Sequence, residues 1–147
     1  MIAIVREEDL PDLLPLMRGY AEFYETATPD ERLLAVSRAL LEDPERQGLQ
    51  LLARDADGRA TGYATLLWTW SHLRGGRKGV MNDLFVAEHA RGTGVADALI
   101  EACRERCRER GAVWLEWQTA KDNLRAQAVY DRAGGERAEW IDYGLRP

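Results

Sequence analysis

A glycine-containing turn between a strand pattern and a helix pattern is the part of the sequence best suited to bind an anion. The strand pattern ends at Val86, and Gly92 and Gly94 stand just before an amphipathic helix. Glycine accepts positive φ and lets the backbone approach a ligand closely. The free N–H groups of the helix start and the guanidinium of Arg91 would together favour a phosphate or pyrophosphate. An ordinary strand-to-helix loop is the alternative interpretation.

The turn does not match two other phosphate-binding loops. No Gly-Lys-Ser/Thr run follows the glycines, so the sequence lacks the nucleotide P-loop. The dinucleotide fingerprint needs a third small residue, and Asp97 stands three residues after Gly94. The turn therefore predicts an anion site of another kind.

The elements around this turn predict one α+β domain over residues 1–147. Period-2 and period-3.6 apolar patterns give the order β-α-α-β-β-β-α-β-α-β, and a basic, glycine-rich loop over 72–79 precedes the fourth strand. A strand, helix, strand run implies a parallel crossover beside an antiparallel meander. The predicted strands cover 2–5, 49–54, 60–70, 80–86, 112–117 and 140–145, and the predicted helices cover 10–24, 30–42, 93–110 and 123–133.

Two short motifs flank the predicted strand 112–117. The first is Arg91-Gly92-Thr93-Gly94-Val95-Ala96, and the second runs over 123–134 with Asn123, Ala126, Tyr130 and Gly134 at its key positions. They resemble the Arg/Gln-x-x-Gly-x-Gly/Ala and Asn-x-x-Ala-x-x-x-Tyr-x-x-x-Gly signatures of the GNAT superfamily of N-acetyltransferases. The predicted element order agrees with that family, so the resemblance spans essentially the whole chain.

The resemblance implies a fold and a cosubstrate. The fold is a mixed sheet that splays open between its fourth and fifth strands, here 80–86 and 112–117. The cosubstrate is acetyl-CoA, with its pantetheine arm in the gap and its pyrophosphate on the 91–96 turn. The implied cofactor-binding residues are Phe85, Val86, Arg91, Gly92, Thr93, Gly94, Val95, Ala96, Asn123 and Tyr130. Asn123 also stands where a helix begins, so it could instead serve as an N-cap.

The resemblance further implies that Tyr130 protonates the departing thiolate. A phenol with a pKa of about 10 is neutral at neutral pH and can donate that proton. The alternative for Tyr130 is a core aromatic on an amphipathic helix. Tyr20 and Tyr24 lie in the first helix region, which walls the acceptor site in this family.

A carboxylate in the acceptor cleft would attract an ammonium group and help to remove its proton. Asp83 is the first candidate and Glu116, between Trp114 and Trp117, is the second. The stretch around Asp83 is similar to that of diamine and thialysine acetyltransferases, although Asn82 replaces their usual acid. Strand alternation predicts that only one of residues 82 and 83 faces the cleft. Each acid could also be an ordinary surface carboxylate.

The composition of the chain disfavours several classes of binding partner and cellular location. The chain has 25 acidic and 20 basic residues and a net charge of −5, which disfavours nucleic acid. The most apolar stretch, 63–70, is too short to span a membrane, and the acidic N-terminus does not resemble a signal peptide. Cys103 and Cys107 lie on one helix far from both histidines, which predicts reduced thiols, a cytoplasmic location and no metal site.

The motifs together predict a function. The chain is expected to move the acetyl group of acetyl-CoA by direct attack to a primary amine of a small molecule, such as a polyamine or an amino acid. Acetylation of a protein or peptide amine and a non-catalytic acyl-CoA sensor are the alternatives. Many relatives are dimers, and the tryptophan content is compatible with a homodimer.

Overall fold

The central sheet has five strands, and the computed structural model describes all residues from Met1 to Pro147. Along the sheet the order is β1-β2-β3-β4-β5. The first four strands pair antiparallel, and β5 joins β4 in parallel. The strands are β1 (Ile2–Ile4), β2 (Gly48–Arg54), β3 (Ala60–Ser71), β4 (Gly76–Val86) and β5 (Trp114–Glu116).

Four helices accompany the sheet, and two separate cores lie on its opposite faces. The helices are α1 (Leu10–Phe23), α2 (Asp30–Glu42), α3 (Val95–Glu109) and α4 (Leu124–Arg132). One core joins α3 to alternate residues of the strands, and the other joins α1 to the residues between them. Two cores form because successive side chains of a strand point to opposite faces of the sheet. None of the four helices is long and apolar enough to cross a membrane.

The sheet opens between β4 and β5, as the resemblance implies. β5 pairs with β4 only over Lys78–Val80, although β4 continues to Val86. The part of β4 that follows Val80 therefore has no strand on that side. The α+β class and the splayed mixed sheet are confirmed.

Two expectations about strands are wrong. Residues 76–79, which include the basic Arg77 and Lys78, belong to β4 and not to a loop, because they pair with the end of β3. Residues 140–145 form no strand. A strand needs a neighbour, and β-rich composition alone does not provide one. The segment makes a side-chain contact with the loop that follows β5. In this contact Gln118 Nε2 donates a hydrogen bond to Asp142 Oδ1 at 2.6 Å.

Candidate active site

A cavity of about 370 Å³ lies between α1, α2 and the sheet. Its inner wall comes from β2, β3 and β4, and its outer wall comes from the two helices and the segment that joins them. Such a volume is near the lower end of the roughly 300–1,000 Å³ typical of small-molecule sites. The lining residues are Met17, Tyr20, Ala21, Tyr24, Thr26, Thr28, Leu33, Val36, Gln50, Tyr63, Asn82 and Asp83.

A β-bulge in β4 turns Asp83 into this cavity. Thr65 of β3 faces Asp83 in the strand register, whereas the next residue, Leu66, faces Met81, so Asn82 is the extra residue. Met81 is 3% exposed in the core beneath α3, and Asp83 lies on the other face. The expectation that strand alternation lets only one of residues 82 and 83 face the cleft is wrong. Both line the cavity, since the bulge breaks the alternation.

Asp83 is a mostly buried carboxylate without a cationic partner. Its polar neighbours are neutral: Asn82 Nδ2 donates to Asp83 Oδ1 at 3.1 Å, and the side chains of Thr65 and Tyr20 lie near enough to the carboxylate to lower its pKa. Burial raises the pKa of Asp83, and the neighbouring side chains of Thr65, Asn82 and Tyr20 partly oppose that shift. The group is therefore poised to accept a proton and to attract a cation.

A buried polar chain extends from Asp83 to β2. Gln50 is 5% exposed, and its Nε2 donates to Thr65 Oγ1 at 3.1 Å. Thr65 in turn pairs with Asp83 in the strand register, and its side chain lowers the pKa of that carboxyl. Sequence reasoning missed Gln50 and Thr65. The available signal was a polar residue inside each of two apolar strand segments, Leu49–Ala53 and 63–68.

Aromatic rings line the route from Asp83 towards α4. The ring centroid of Tyr20 lies 6.2 Å from that of Tyr63 and 5.0 Å from that of Tyr24. Burial, followed by the charge of Asp83, raises the pKa of Tyr20 and that of Tyr63. Both phenols therefore stay neutral at physiological pH, and their rings can face a cationic ligand.

Tyr130 lies on α4 at the far end of these aromatic residues. Its ring packs edge-on against Trp117, with centroids 5.4 Å apart. Burial and the nearby Tyr24 raise the pKa of Tyr130, which keeps the phenol protonated. The residue is partly buried against the α3 core, so it has the packing of a core aromatic and the protonation state of a proton donor.

Glu116 is not among the residues that line the cavity. It lies at the end of β5, and its carboxylate is paired with the ammonium of Lys78 on β4. The side chain of Lys78 is 19% exposed and that of Glu116 is 42% exposed. The two acids thus have different environments, because only Asp83 lacks a cation.

The turn after β4 has the geometry of an anion site. Gly92 and Gly94 have φ of 82° and 87°, the left-handed region that favours glycine. The N–H groups of residues 92–96 donate to no backbone carbonyl, and α3 begins at Val95. Arg91 Nε donates to Val86 O at 3.2 Å, which holds its guanidinium between the end of β4 and the turn.

Asn123 caps α4. Its Oδ1 accepts a hydrogen bond from the backbone N–H of Ala126 at 3.1 Å. The N-cap interpretation of Asn123 therefore agrees with the observed contact. In the segment between β5 and this cap, Thr119 Oγ1 is buried and has no hydrogen-bond partner in the protein.

The mixed sheet, the glycine turn and the splayed β4 together define an acyltransferase architecture, and comparison with known proteins gives the family. The model of the Acetyltransferase (GNAT) family matches residues 12–135. The chain therefore belongs to the GNAT family of acetyltransferases.

Individual relatives agree with that family. The chain is 31% identical over 131 residues to the uncharacterized N-acetyltransferase YhfO of Bacillus subtilis strain 168, covering 89% of this chain and 86% of YhfO. It is 34% identical over 118 residues to the D-amino-acid N-acetyltransferase HPA3 of Saccharomyces cerevisiae, covering 80% of this chain and 73% of HPA3. The crystal structure of a probable acetyltransferase has a TM-score of 0.88 and 31% identity, covering 100% of this chain and 97% of that one. The protein is an N-acetyltransferase.

Proposed function

We propose that the protein transfers the acetyl group of acetyl-CoA to a primary amine of a small molecule. The observation that carries this proposal is the carboxylate of Asp83, which lies on the floor of the cavity with no cationic partner. A buried charge without a partner is costly, and an ammonium group would supply the missing countercharge. The cavity volume of about 370 Å³ supports a small acceptor.

The residues around the glycine turn fit acetyl-CoA. The unpaired N–H groups of residues 92–96 and the guanidinium of Arg91 would hold the pyrophosphate. The backbone of Phe85 and Val86 borders the gap between β4 and β5, where the pantetheine arm would lie. The orphaned hydroxyl of Thr119 and the capping side chain of Asn123 are polar groups on the other side of this gap.

Two side chains carry out the proton transfers of the proposed reaction. Acetyl-CoA supplies a thioester whose carbonyl carbon accepts the new bond to nitrogen and whose sulfur leaves. Asp83 takes a proton from the ammonium form of the acceptor, directly or through a water, because only the neutral amine is a nucleophile. Tyr130 gives its proton to the departing sulfur and is reprotonated by the second N–H proton, which the nitrogen loses once it is bonded to the acetyl carbon. The proton on Asp83 then passes to solvent, so one proton is released per turnover and both side chains return to their starting states. In this scheme Glu116 stays in its ion pair with Lys78.

Thiol release in the presence of acetyl-CoA tests the proposal. The protein is mixed with acetyl-CoA and a panel of primary amines that includes polyamines, amino acids, aminoglycosides, alkylamines and peptides with free N-termini. Release with small amines is the expected result. Release with peptides alone would favour acetylation of proteins. Thermal stabilisation by CoA with no release from any amine would favour an acyl-CoA sensor and contradict the proposal.

The diamine and thialysine branch remains a prediction from the sequence around Asp83. Asn82 stands where those relatives often carry an acid, so the floor of the cavity holds one carboxylate. A diamine would need a second acid for its second ammonium group.

We also infer a homodimer. The C-terminal segment exposes Trp140, Ile141, Tyr143 and Leu145, each at least 76% exposed, and β5 is the edge strand of the sheet. Pairing of this segment with the β5 edge of a second copy would cover both surfaces. Sedimentation of the full chain is expected to give a dimer, and an Ile141→Asp, Tyr143→Asp double variant a monomer. A monomeric wild type would contradict this inference.

A cytoplasmic location remains part of the proposal. It is supported by the two free thiols, Cys103 and Cys107, which are buried on α3. Burial raises the pKa of the Cys107 thiol to about 11, so this group stays protonated and unreactive at neutral pH.

A further inference from the structure

The acceptor cavity carries a single charge. Among its lining residues only Asp83 is ionisable to a charged form at neutral pH. The charged residues of α1 and α2, such as Glu22 and Arg32, do not line the cavity, and Arg18 of α1 donates to Asp30 of α2. The cavity therefore offers one negative site and no positive site to an acceptor.

The outer wall of the cavity is largely apolar. Met17 and Ala21 of α1 and Leu33 and Val36 of α2 form its apolar part, and Thr26 and Thr28 of the joining segment complete it. Met17 is 4% exposed, whereas Val36 is 57% exposed. An acceptor whose ammonium group lies beside Asp83 would therefore rest the remainder of its structure against aliphatic groups. Burial of that apolar surface is favourable.

A second charge on the acceptor would lack a partner in this cavity. The carboxylate of an amino acid would find no arginine or lysine, and the second ammonium of a diamine would find no second acid. Removing a charged group from water without a partner costs on the order of several kcal/mol. Differential binding of this size is enough to decide which amines are acetylated.

We propose that the acceptor is a monoamine with an apolar body, an alkylamine or arylalkylamine that lacks a carboxylate and a second ammonium group. This proposal rests on the proposed function and narrows its substrate class. Asp83 recognises the one ammonium group, and the α1–α2 wall of Met17, Ala21, Leu33 and Val36 recognises the body. The reaction is the acetyl transfer described above: the N–C bond forms and the C–S bond breaks. Asp83 takes one proton of the ammonium group, Tyr130 protonates the sulfur, and the second N–H proton of the amine returns to Tyr130.

Two matched pairs of amines test the proposal. 2-Phenylethylamine and phenylalanine differ by one carboxylate, and hexylamine and 1,6-diaminohexane differ by one amino group. We expect kcat/KM from thiol release to be about 100-fold higher for the monoamine of each pair, which corresponds to about 2.7 kcal/mol. Equal or higher values for the amino acid or the diamine would overturn this proposal and leave the proposed function intact.

Absence of turnover with every amine would instead contradict the proposed function. In that case the dissociation constants of the same amines, measured by calorimetry with CoA present, still decide the proposal. Tighter binding of both monoamines supports a monoamine cavity, and equal binding within either pair overturns it.

A charge added to the wall gives a second, independent test. Val36→Glu places a carboxylate on an exposed position of the cavity wall, where folding tolerates it. The ratio of kcat/KM for 1,6-diaminohexane over hexylamine is expected to rise about fivefold, because an exposed ion pair is worth up to about 1 kcal/mol. Ala35→Glu is the matched control, since it adds the same charge to an exposed residue of α2 that does not line the cavity. Identical ratios in the two variants would contradict the proposal.

Discussion

The proposed active site has two halves, one for the cofactor and one for the acceptor, and they are built from different parts of the chain. The cofactor half is mostly backbone, with the N–H groups of residues 92–96 and the open edge of β4 lying close together in sequence. The acceptor half is mostly side chains from α1, α2, β2, β3 and β4. The cofactor half therefore depends on local conformation, whereas the acceptor half depends on which side chains meet. A substitution in one half is therefore expected to change either the affinity for CoA or the turnover of the amine, and not both.

The largest effect is expected in the acceptor half, from Asp83→Asn. Loss of the proton acceptor should lower kcat/KM for the amine by about 10²–10⁴-fold, with an unchanged dissociation constant for CoA. Steady-state kinetics and calorimetry measure these two quantities. Glu116→Gln is the control, and its activity should stay within about threefold of wild type. A loss in Glu116→Gln with none in Asp83→Asn would transfer the role of base to Glu116, and an equal loss in both variants would contradict the division between the two acids.

Tyr130→Phe tests the residue that lies between the two halves. Its ring contact with Trp117 should survive, so the fold and the affinity for CoA are expected to stay the same. Loss of the phenolic proton should lower kcat by roughly 10²-fold. Single-turnover kinetics give the rate of the chemical step. An unchanged rate would mean that another group protonates the thiolate.

A smaller effect is expected in the cofactor half, from Gly94→Ala. A side chain at φ of 87° costs about 1–2 kcal/mol, so the free turn should relax and bind CoA about tenfold more weakly. The KM for the amine should not change. Gly58→Ala provides the same strain at φ of 81° in the β2–β3 hairpin, and its dissociation constant for CoA should match wild type. An unaltered affinity for CoA in Gly94→Ala would contradict the anion-binding role of the turn.

The smallest effect is expected at Asn123. Asn123→Ala removes the cap of α4 and should lower the free energy of unfolding by about 1 kcal/mol, measured by denaturant titration. Asn123→Ser keeps a capping oxygen and should restore most of this stability. If the serine variant is stable but binds CoA more weakly, Asn123 also contacts the cofactor. If both stability and affinity are restored, its role is the cap alone.

The same contrast explains what the sequence could predict. The glycine turn and the Asn123–Tyr130 helix are contiguous motifs, and each acts through the local conformation that it specifies. The full lining of the acceptor cavity could not be predicted in this way, because the bulge at Asn82 breaks the strand alternation and lets residues 82 and 83 both line it. Gln50 was missed because it meets Thr65 only through strand pairing.

The C-terminal segment shows a second limit of sequence patterns. Residues 140–145 have the composition of a strand but no neighbour with which to pair. β5 is short for the same reason, because its three residues are the ones that find pairing partners on β4 before the sheet opens. Secondary structure in this region depends on long-range partners.

The central claim is that an unpaired, ionised Asp83 binds the cationic acceptor. It is tested most directly by the affinity of a quaternary ammonium ligand, 2-phenylethyltrimethylammonium, measured by calorimetry at several pH values with CoA present. This ligand keeps its charge at every pH, so the pH dependence belongs to the protein. Because burial raises the pKa of Asp83, affinity should be weak at acidic pH.

The affinity should then rise with pH, with a midpoint above the ordinary carboxyl value of about 3.9, and reach a plateau once Asp83 is ionised. In Asp83→Asn the affinity should be low at every pH. A wild-type affinity that does not change with pH, or a rise that persists in Asp83→Asn, would contradict the account.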